Sequence, residues 1–242
     1  ACFKGKQWQR LRELMDECPA YSSAVNKCKA SGEWERGLEL LARMPSPRVN
    51  DYNLIMAVCP PRKALELLEE MREKGVEPDV VSYTTAMSKC GWQRALQLLE
   101  AMSQNGVRPS VVSYGCAMVA CNKGKQFERT LKLFDKIVQP NARCYTAAII
   151  ASPWERALQL LNEMKKKGFV PDVVAYGAAI SACSKGGQSQ RALQLLHDMQ
   201  RKGIEPNLVV YSAAISACEK TGQWQRALQL LGQTQNPDVI AY

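Results

Sequence analysis

The sequence has a single histidine, His197, and no Cys-x-x-Cys pair. A metal centre needs clustered ligands, so neither a metal nor a metal cofactor is expected. No Gly-rich phosphate loop is present, no His-x-Glu deaminase signature, and no Ser-His-Asp order worth defending. No catalytic constellation therefore supports an enzyme. No stretch approaches about 18 consecutive apolar residues, which excludes a helical membrane span. Runs of β-branched residues are short. What remains is 46% apolar and 23% charged, with helix formers dominant. That is the composition of a soluble helical protein.

What the sequence has in abundance is itself. The stretch 173–207, VVAYGAAISACSKGGQSQRALQLLHDMQRKGIEPN, begins again at Leu208 as LVVYSAAISACEKTGQWQRALQLL. A period in this range signals stacked supersecondary units. One unit reads as two helices. The first runs from Val174 to about Lys185, with Tyr176, Ala179, Ile180 and Cys183 at helical spacing. Gly186-Gly187 breaks it. The second runs from about Ser189 to Arg201, with Ala192, Leu193, Leu195, Leu196 and Met199 as a wide apolar stripe. Gly203 ends it and Pro206 forbids continuation. One such hairpin cannot cover its own stripe, so it stacks on its neighbours. The fold class expected is all-α, a solenoid of helix-turn-helix repeats.

Aligned on the tyrosine that opens each first helix, the register is Tyr21, Tyr52, Tyr83, Tyr114, Tyr145, Tyr176, Tyr211 and Tyr242. The spacing is 31 everywhere except one step of 35. Seven repeats follow: 18–48, 49–79, 80–110, 111–141, 142–172, 173–207 and 208–238. Residues 1–17 read as the second helix of a truncated repeat, and 239–242 as the start of another. The chain is expected to be a fragment of a longer array, with any targeting peptide upstream. Repeats 49–79, 80–110 and 142–172 lose four residues between the helices. The other short repeats lose them after the second helix. Four residues make about one helical turn, so the stripe keeps its face. Pro60-Pro61 and Pro153 are expected at sharp inter-helix corners.

Trp8, Trp34, Trp92, Trp154 and Trp224 share one slot before the Arg-Ala-Leu, Arg-Gly-Leu or Arg-Leu of the second helix, and Phe127 takes it in repeat 111–141. They are either a stacking platform for bases or packing against the neighbouring turn. A strictly repeated slot favours packing. Cys2, Cys28, Cys59, Cys90, Cys121, Cys183 and Cys218 also share one position. Each lies about a repeat from the next, too far to pair, so they read as small buried hydrophobes in a reducing compartment. His197 reads as solvated or partly packed. The formal net charge is +9. Part of it recurs, as Lys4, Lys123, Lys185 and Lys220 at the end of helix one. A regular cation spacing suits a regular polyanion, and a phosphate role for Lys123, Lys185 and Lys220 is favoured over a merely solvated face.

These residues resemble a pentatricopeptide repeat. The features are an aliphatic-aliphatic-x-Tyr opening, a Cys-x-Lys-x-Gly turn, Ala-Leu-x-Leu in helix two, then Met, Gly and a closing Pro-Asp or Pro-Asn. The shortened inter-helix turns depart from that pattern. The resemblance implies a right-handed superhelix whose first helices line an inner groove for single-stranded RNA. It implies one base per repeat, read by the residue after the opening Tyr and the last residue of the repeat. The base-contact pairs would be Ser22 with Arg48, Asn53 with Asp79, Thr84 with Ser110, and Gly115 with Asn141. They continue as Thr146 with Asp172, Gly177 with Asn207, and Ser212 with Asp238. Val81, Val112, Arg143, Val174 and Val209 would wedge between bases, with Asn50 and Pro19 as departures. Unstacked bases do expose their edges to side chains. An Asp or Asn before a helix is also a plain N-cap, and the two roles are compatible.

The function the resemblance implies is sequence-selective binding of single-stranded RNA, in organelle RNA processing, stability, editing or translation. The location implied is a chloroplast or mitochondrion. The alternative is a protein-binding scaffold like the tetratricopeptide arrays. Those lack the closing Pro-Asp or Pro-Asn and the varying polar residue after the Tyr. The resemblance also suggests a base order: U at repeat 49–79 and G at 142–172 and 208–238, or 5′-U-x-x-G-x-G-3′ with A as the choice at each x.

Overall fold

The computed structural model describes residues 21–44 and 46–233, without the side chains of residues 21, 22 and 233. Expectations on residues 1–17, Asp238 and 239–242, and on the Ser22 side chain, lie outside the described residues. Fourteen helices and no strand are found among the described residues. They alternate as first and second members of hairpins. The first members are α1 (Tyr21–Ser31), α3 (Val49–Val58), α5 (Val80–Lys89), α7 (Val111–Lys123), α9 (Ala142–Ala151), α11 (Val173–Lys185) and α13 (Leu208–Lys220). The second members are α2 (Trp34–Arg43), α4 (Pro61–Glu73), α6 (Trp92–Gln104), α8 (Phe127–Phe134), α10 (Trp154–Lys166), α12 (Ser189–Arg201) and α14 (Trp224–Gln233).

Helix starts follow from polar caps. Asp79, Asn141, Asp172 and Asn207 each accept the backbone N–H three residues on, at 2.8–3.1 Å. That satisfies one of the donors a helix start leaves open. Ser110 does the same for Ser113 at 3.2 Å. Helix ends are equally regular. Gly75, Gly106, Gly168 and Gly203 sit at φ of 70–81° after second helices. The next N–H then reaches back to Met71, Met102, Met164 or Met199 at 2.8–3.1 Å. That is a Schellman closure. After the longer first helices the same bond reaches back to the repeated cysteine, as Gln126, Gln188 and Gln223 N–H bond Cys121, Cys183 and Cys218 carbonyls at 2.8–2.9 Å. The left-handed residue there is glycine at 187 and 222 but Lys125 in the third case, at φ 56°.

The four-residue losses fall partly on the helices themselves. α3, α5 and α9 have 10 residues against 13 in α7, α11 and α13. Their ends turn through an extended residue, Cys59, Cys90 or Ser152, directly into the next helix. Pro60 and Pro153 are N-caps and Pro61 opens α4, where a missing N–H costs nothing. The losses after the second helix shorten α2 and α8 to 10 and 8 residues.

The chain divides into two compact units, 1–113 and 114–242, with the division inside α7. In the first, α3 packs between α1 and α5, and α2 and α4 each pack on the first helix that follows. In the second, α11 packs between α9 and α13, and α10 and α12 each pack on the first helix that follows. Each unit thus has one layer of first helices and one of second helices. Between the layers lie the opening tyrosines, with Tyr52, Tyr83, Tyr145 and Tyr176 fully buried, and the second-helix methionines Met71, Met102, Met164 and Met199. Truncating such a buried methionine to alanine costs about 2–5 kcal/mol.

The tyrosine hydroxyls tie successive hairpins together. Tyr176 Oη donates to Asp198 Oδ2 at 2.8 Å, and Lys165 Nζ from the preceding hairpin bonds the same oxygen at 2.8 Å. Tyr83 Oη accepts from Asn105 Nδ2 at 3.1 Å and meets Arg72 of the preceding hairpin. The cysteines that are described are free, and all but Cys90 are buried. Burial pushes the Cys28, Cys59, Cys121, Cys183 and Cys218 thiols up. The tryptophan slot is packing at Trp154, whereas Trp224 is 64% accessible and Phe127, in the same slot, 39%. Trp154 closes on Gly186, where a Cβ would lie 2.2 Å from the indole, and Arg191 stacks on the ring at 4.7 Å. Among the described residues no helix is long and apolar enough to cross a membrane.

Candidate nucleic-acid interface

One face of α11 is left partly uncovered by the packing just described. It carries Val174, Gly177, Ala178, Ser181, Ala182 and Lys185, which recur at three- and four-residue steps and so share a face. The N-terminal end of α13 supplies Asn207, Val209 and Val210 to the same place. Together with Phe127, Ile150 and Ser152 they line a groove of ≈ 450 Å³ in the second unit. The structure therefore brings together Gly177, Asn207, Val174, Val209 and Lys185, residues singled out from sequence in three different roles. Phe127, weighed from its slot as a base-stacking residue but favoured as packing, joins them, and so do Ile150, Ala178 and Ser181, which were not singled out. For Ala178 and Ser181 the signal was available in the step pattern from Val174.

The wedge positions are exposed. Val81 and Val112 in the first unit are 53% accessible, and Val174 and Val209 in the second 55% and 71%. Arg143, at the same register, is exposed as well. Exposed valines are unremarkable singly. Their repetition at one register, beside small and polar neighbours, marks a surface built to be covered.

The reading pairs differ in geometry. Asn53 Nδ2 donates to Asp79 Oδ1 at 3.2 Å, which brings the two members of that pair into contact. Asn53 is nearly buried, and its Oδ1 has no hydrogen-bond partner among the described residues. Burial pushes the Asp79 carboxyl up, but donors from the Ser82 N–H, the Ser82 hydroxyl and Asn53 outweigh it and hold the group below its usual value. Thr84 and Thr146 turn their hydroxyls back to their own helices, to Val80 O at 2.9 Å and Ala142 O at 3.1 Å. Ser110, Asn141, Asp172 and Asn207 all cap the following helix. Ser212 is half-buried. Gly115 and Gly177 offer no side chain, and the adjoining first helix fills that space. A Cβ on Gly115 would lie 3.5 Å from Cys144 Sγ, and one on Gly177 3.2 Å from Val210 Cγ2. Arg48 caps differently. It cannot accept an N–H; instead its own N–H donates to Asp51 Oδ2 at 3.0 Å and its Nε lies 3.7 Å from that oxygen.

Lys123, Lys185 and Lys220 are exposed at the last residues of α7, α11 and α13, where a cation suits the helix dipole. Lys220 Nζ donates to Ser184 O at 3.4 Å, leaving two of its three N–H donors for another acceptor. No group of three or more metal-ligating side chains is found among the described residues.

A family model described as a pentatricopeptide repeat domain matches residues 46–93, 66–123 and 159–221, and one described as a PPR repeat matches 209–235. Together these matches take in more than half of the chain. The chain belongs to the pentatricopeptide repeat family. Among solved structures, it is similar to the pentatricopeptide repeat protein PPR10 from maize. The identity is 26% and the TM-score 0.61, over 98% of this chain and 39% of that one. PPR10 in complex with an 18-nt psaJ RNA element matches with 22% identity and a TM-score of 0.56, over 92% of this chain and 40% of that one. The nuclear proteinaceous RNase P 2 from A. thaliana matches with 16% identity and a TM-score of 0.52, over 74% of this chain and 39% of that one. These last two are likenesses of fold. The pentatricopeptide array described here spans about two-fifths of the length of these solved chains. No curated protein matches it.

Proposed function

We propose that the array binds single-stranded RNA in a sequence-selective way, one base per repeat, with the repeats divided as 18–48, 49–79, 80–110, 111–141, 142–172, 173–207 and 208–238. The observation that carries this reading is the second-unit groove. It gathers two exposed valines, Val174 and Val209, with Gly177, Asn207 and Lys185 in one lining. A flat base fits between two aliphatic side chains, its edge meets polar groups, and its phosphate meets the cation. Family membership and the RNA complex of PPR10 point the same way. The same reading places the protein in a chloroplast or mitochondrion, acting on RNA processing, stability, editing or translation through binding and without catalysis.

The test is retention of RNA from a random single-stranded pool at low and at physiological salt. Enrichment of related sequences that weakens as salt rises supports the reading. Indifference to RNA at every salt concentration favours a protein-binding scaffold.

A further inference from the structure

At two repeats the residue just before the opening tyrosine sits against the reading residue of the preceding repeat, and the same register places a residue opposite the other readers. Cys144 and Val210 show this directly, because they occupy the space where Gly115 and Gly177 would carry a Cβ. Five such pairs have both members among the described side chains: Asn53 with Ser82, Thr84 with Ser113, Gly115 with Cys144, Thr146 with Ala175, and Gly177 with Val210. The other two, Ser22 with Asp51 and Ser212 with Ala241, each include a side chain outside them. The facing residues that are described are all buried. Their sizes complement the readers. Opposite Ser or Ala the reader has a side chain, Asn or Thr; opposite the bulkier Cys or Val it is glycine.

The same residue also touches the second reader. Ser82 donates its hydroxyl to Asp79 Oδ1 at 2.9 Å, and Ser113 Oγ lies 3.1 Å from Ser110 Oγ. Ala175 offers no such group; the cap bond at Asp172 comes from the Ala175 N–H.

We infer that this facing residue is a third determinant of base choice. Its volume decides whether the reader can carry a side chain, and its hydroxyl, where present, takes up part of the second reader's hydrogen-bonding capacity. The inference rests on the RNA-binding reading above and adds a position to it.

The experiment is a double-mutant cycle: wild type, Gly177→Asn, Val210→Ala, and both together. Each protein is melted, and each is titrated with four single-stranded RNAs differing only in the base opposite that repeat. Coupled sites give a double variant more stable than the two single shifts added together. The double variant also gains a preference of about tenfold for one base, which Gly177→Asn alone does not show. Additive melting shifts, or equal discrimination by Gly177→Asn with Val210 intact, overturn the inference. Coupled melting with no gain in base preference overturns its specificity claim. Wild type that binds none of the RNAs contradicts the RNA-binding reading itself, whereas the melting half of the cycle still reports on the packing.

Discussion

Asn53 and Asp79 belong to successive first helices, and the amide of one donates to the carboxylate of the other at 3.2 Å. The two side chains that the family pattern pairs as readers of a base are thus a hydrogen-bonded pair in the free chain. Asp79 also caps α5 through Ser82 N at 2.8 Å. Capping and the proposed reading would therefore be two uses of one carboxylate, and substitution can separate them.

Asp79→Ala is expected to cost about 1 kcal/mol of stability, because the Ser82 N–H loses its acceptor. Asp79→Asn keeps an acceptor and is expected to cost much less. Denaturant melts of both variants decide it. The folded carboxyl is held below its ordinary value. Its contribution is therefore present above the unfolded value near 4 and is lost as pH falls below that value through the lowered folded one. Wild type is expected to lose more stability than Asp79→Asn in that acid window.

Asp198 gives the stronger acid-sensitive link. The hydrogen bond from Lys165 leads in holding it well below the carboxylate range; burial opposes, and Tyr176 and Arg201 add donors. Its side chain is 23% accessible. Asp198→Ala is expected to destabilise the second unit by about 2 kcal/mol, the scale of a hydrogen bond to a charged group. Since the folded value is depressed, the effect is full at neutral pH and shrinks only as pH falls below about 4. Equal melts of variant and wild type at pH 7 contradict this.

Lys125 holds a left-handed conformation, φ 56°, at the turn where the other long hairpins of the second unit have Gly187 and Gly222. Lys125→Gly is expected to stabilise the protein, by up to about 1 kcal/mol. A thermal melt reads this as a raised Tm, and a lowered Tm means the lysine side chain makes a contact that outweighs its backbone cost.

Much of this architecture was legible in the sequence, and the reasons are local. The glycines at 187 and 203 and the caps at Asp172 and Asn207 act within one helix end, so spacing alone locates the helices. Trp154 was legible as packing because its slot repeats. Lys125 was legible too, by its alignment under Gly187, but lysine carries no turn signal of its own. The Lys165–Asp198–Tyr176 bond was not legible. Its members are 11 to 33 residues apart, and their meeting depends on how adjacent hairpins stack. The groove was legible only in part. Val174, Gly177, Lys185 and Phe127 stand out by register, whereas Ile150 lies near the end of the shortened α9 and carries no signal of its own.

Changing Lys123, Lys185 and Lys220 together to alanine is expected to weaken all RNAs alike and flatten the salt dependence, by about 0.7 in the log–log slope for each phosphate contact removed. Binding titrations at several salt concentrations measure it. An unchanged slope places these lysines on a solvated face.

Asp172→Asn tests base reading most directly. Asn caps a helix about as well as Asp, so the bond from Ala175 N–H, now 2.8 Å, is kept and the fold is not disturbed. Titration with four RNAs differing only at the position opposite repeat 142–172 is then a clean measurement. The account predicts that preference moves from G towards A at that position by about 1–3 kcal/mol, with the other positions unchanged. Equal weakening for all four RNAs, with no change in preference, would show that Asp172 is a helix cap and not a reader.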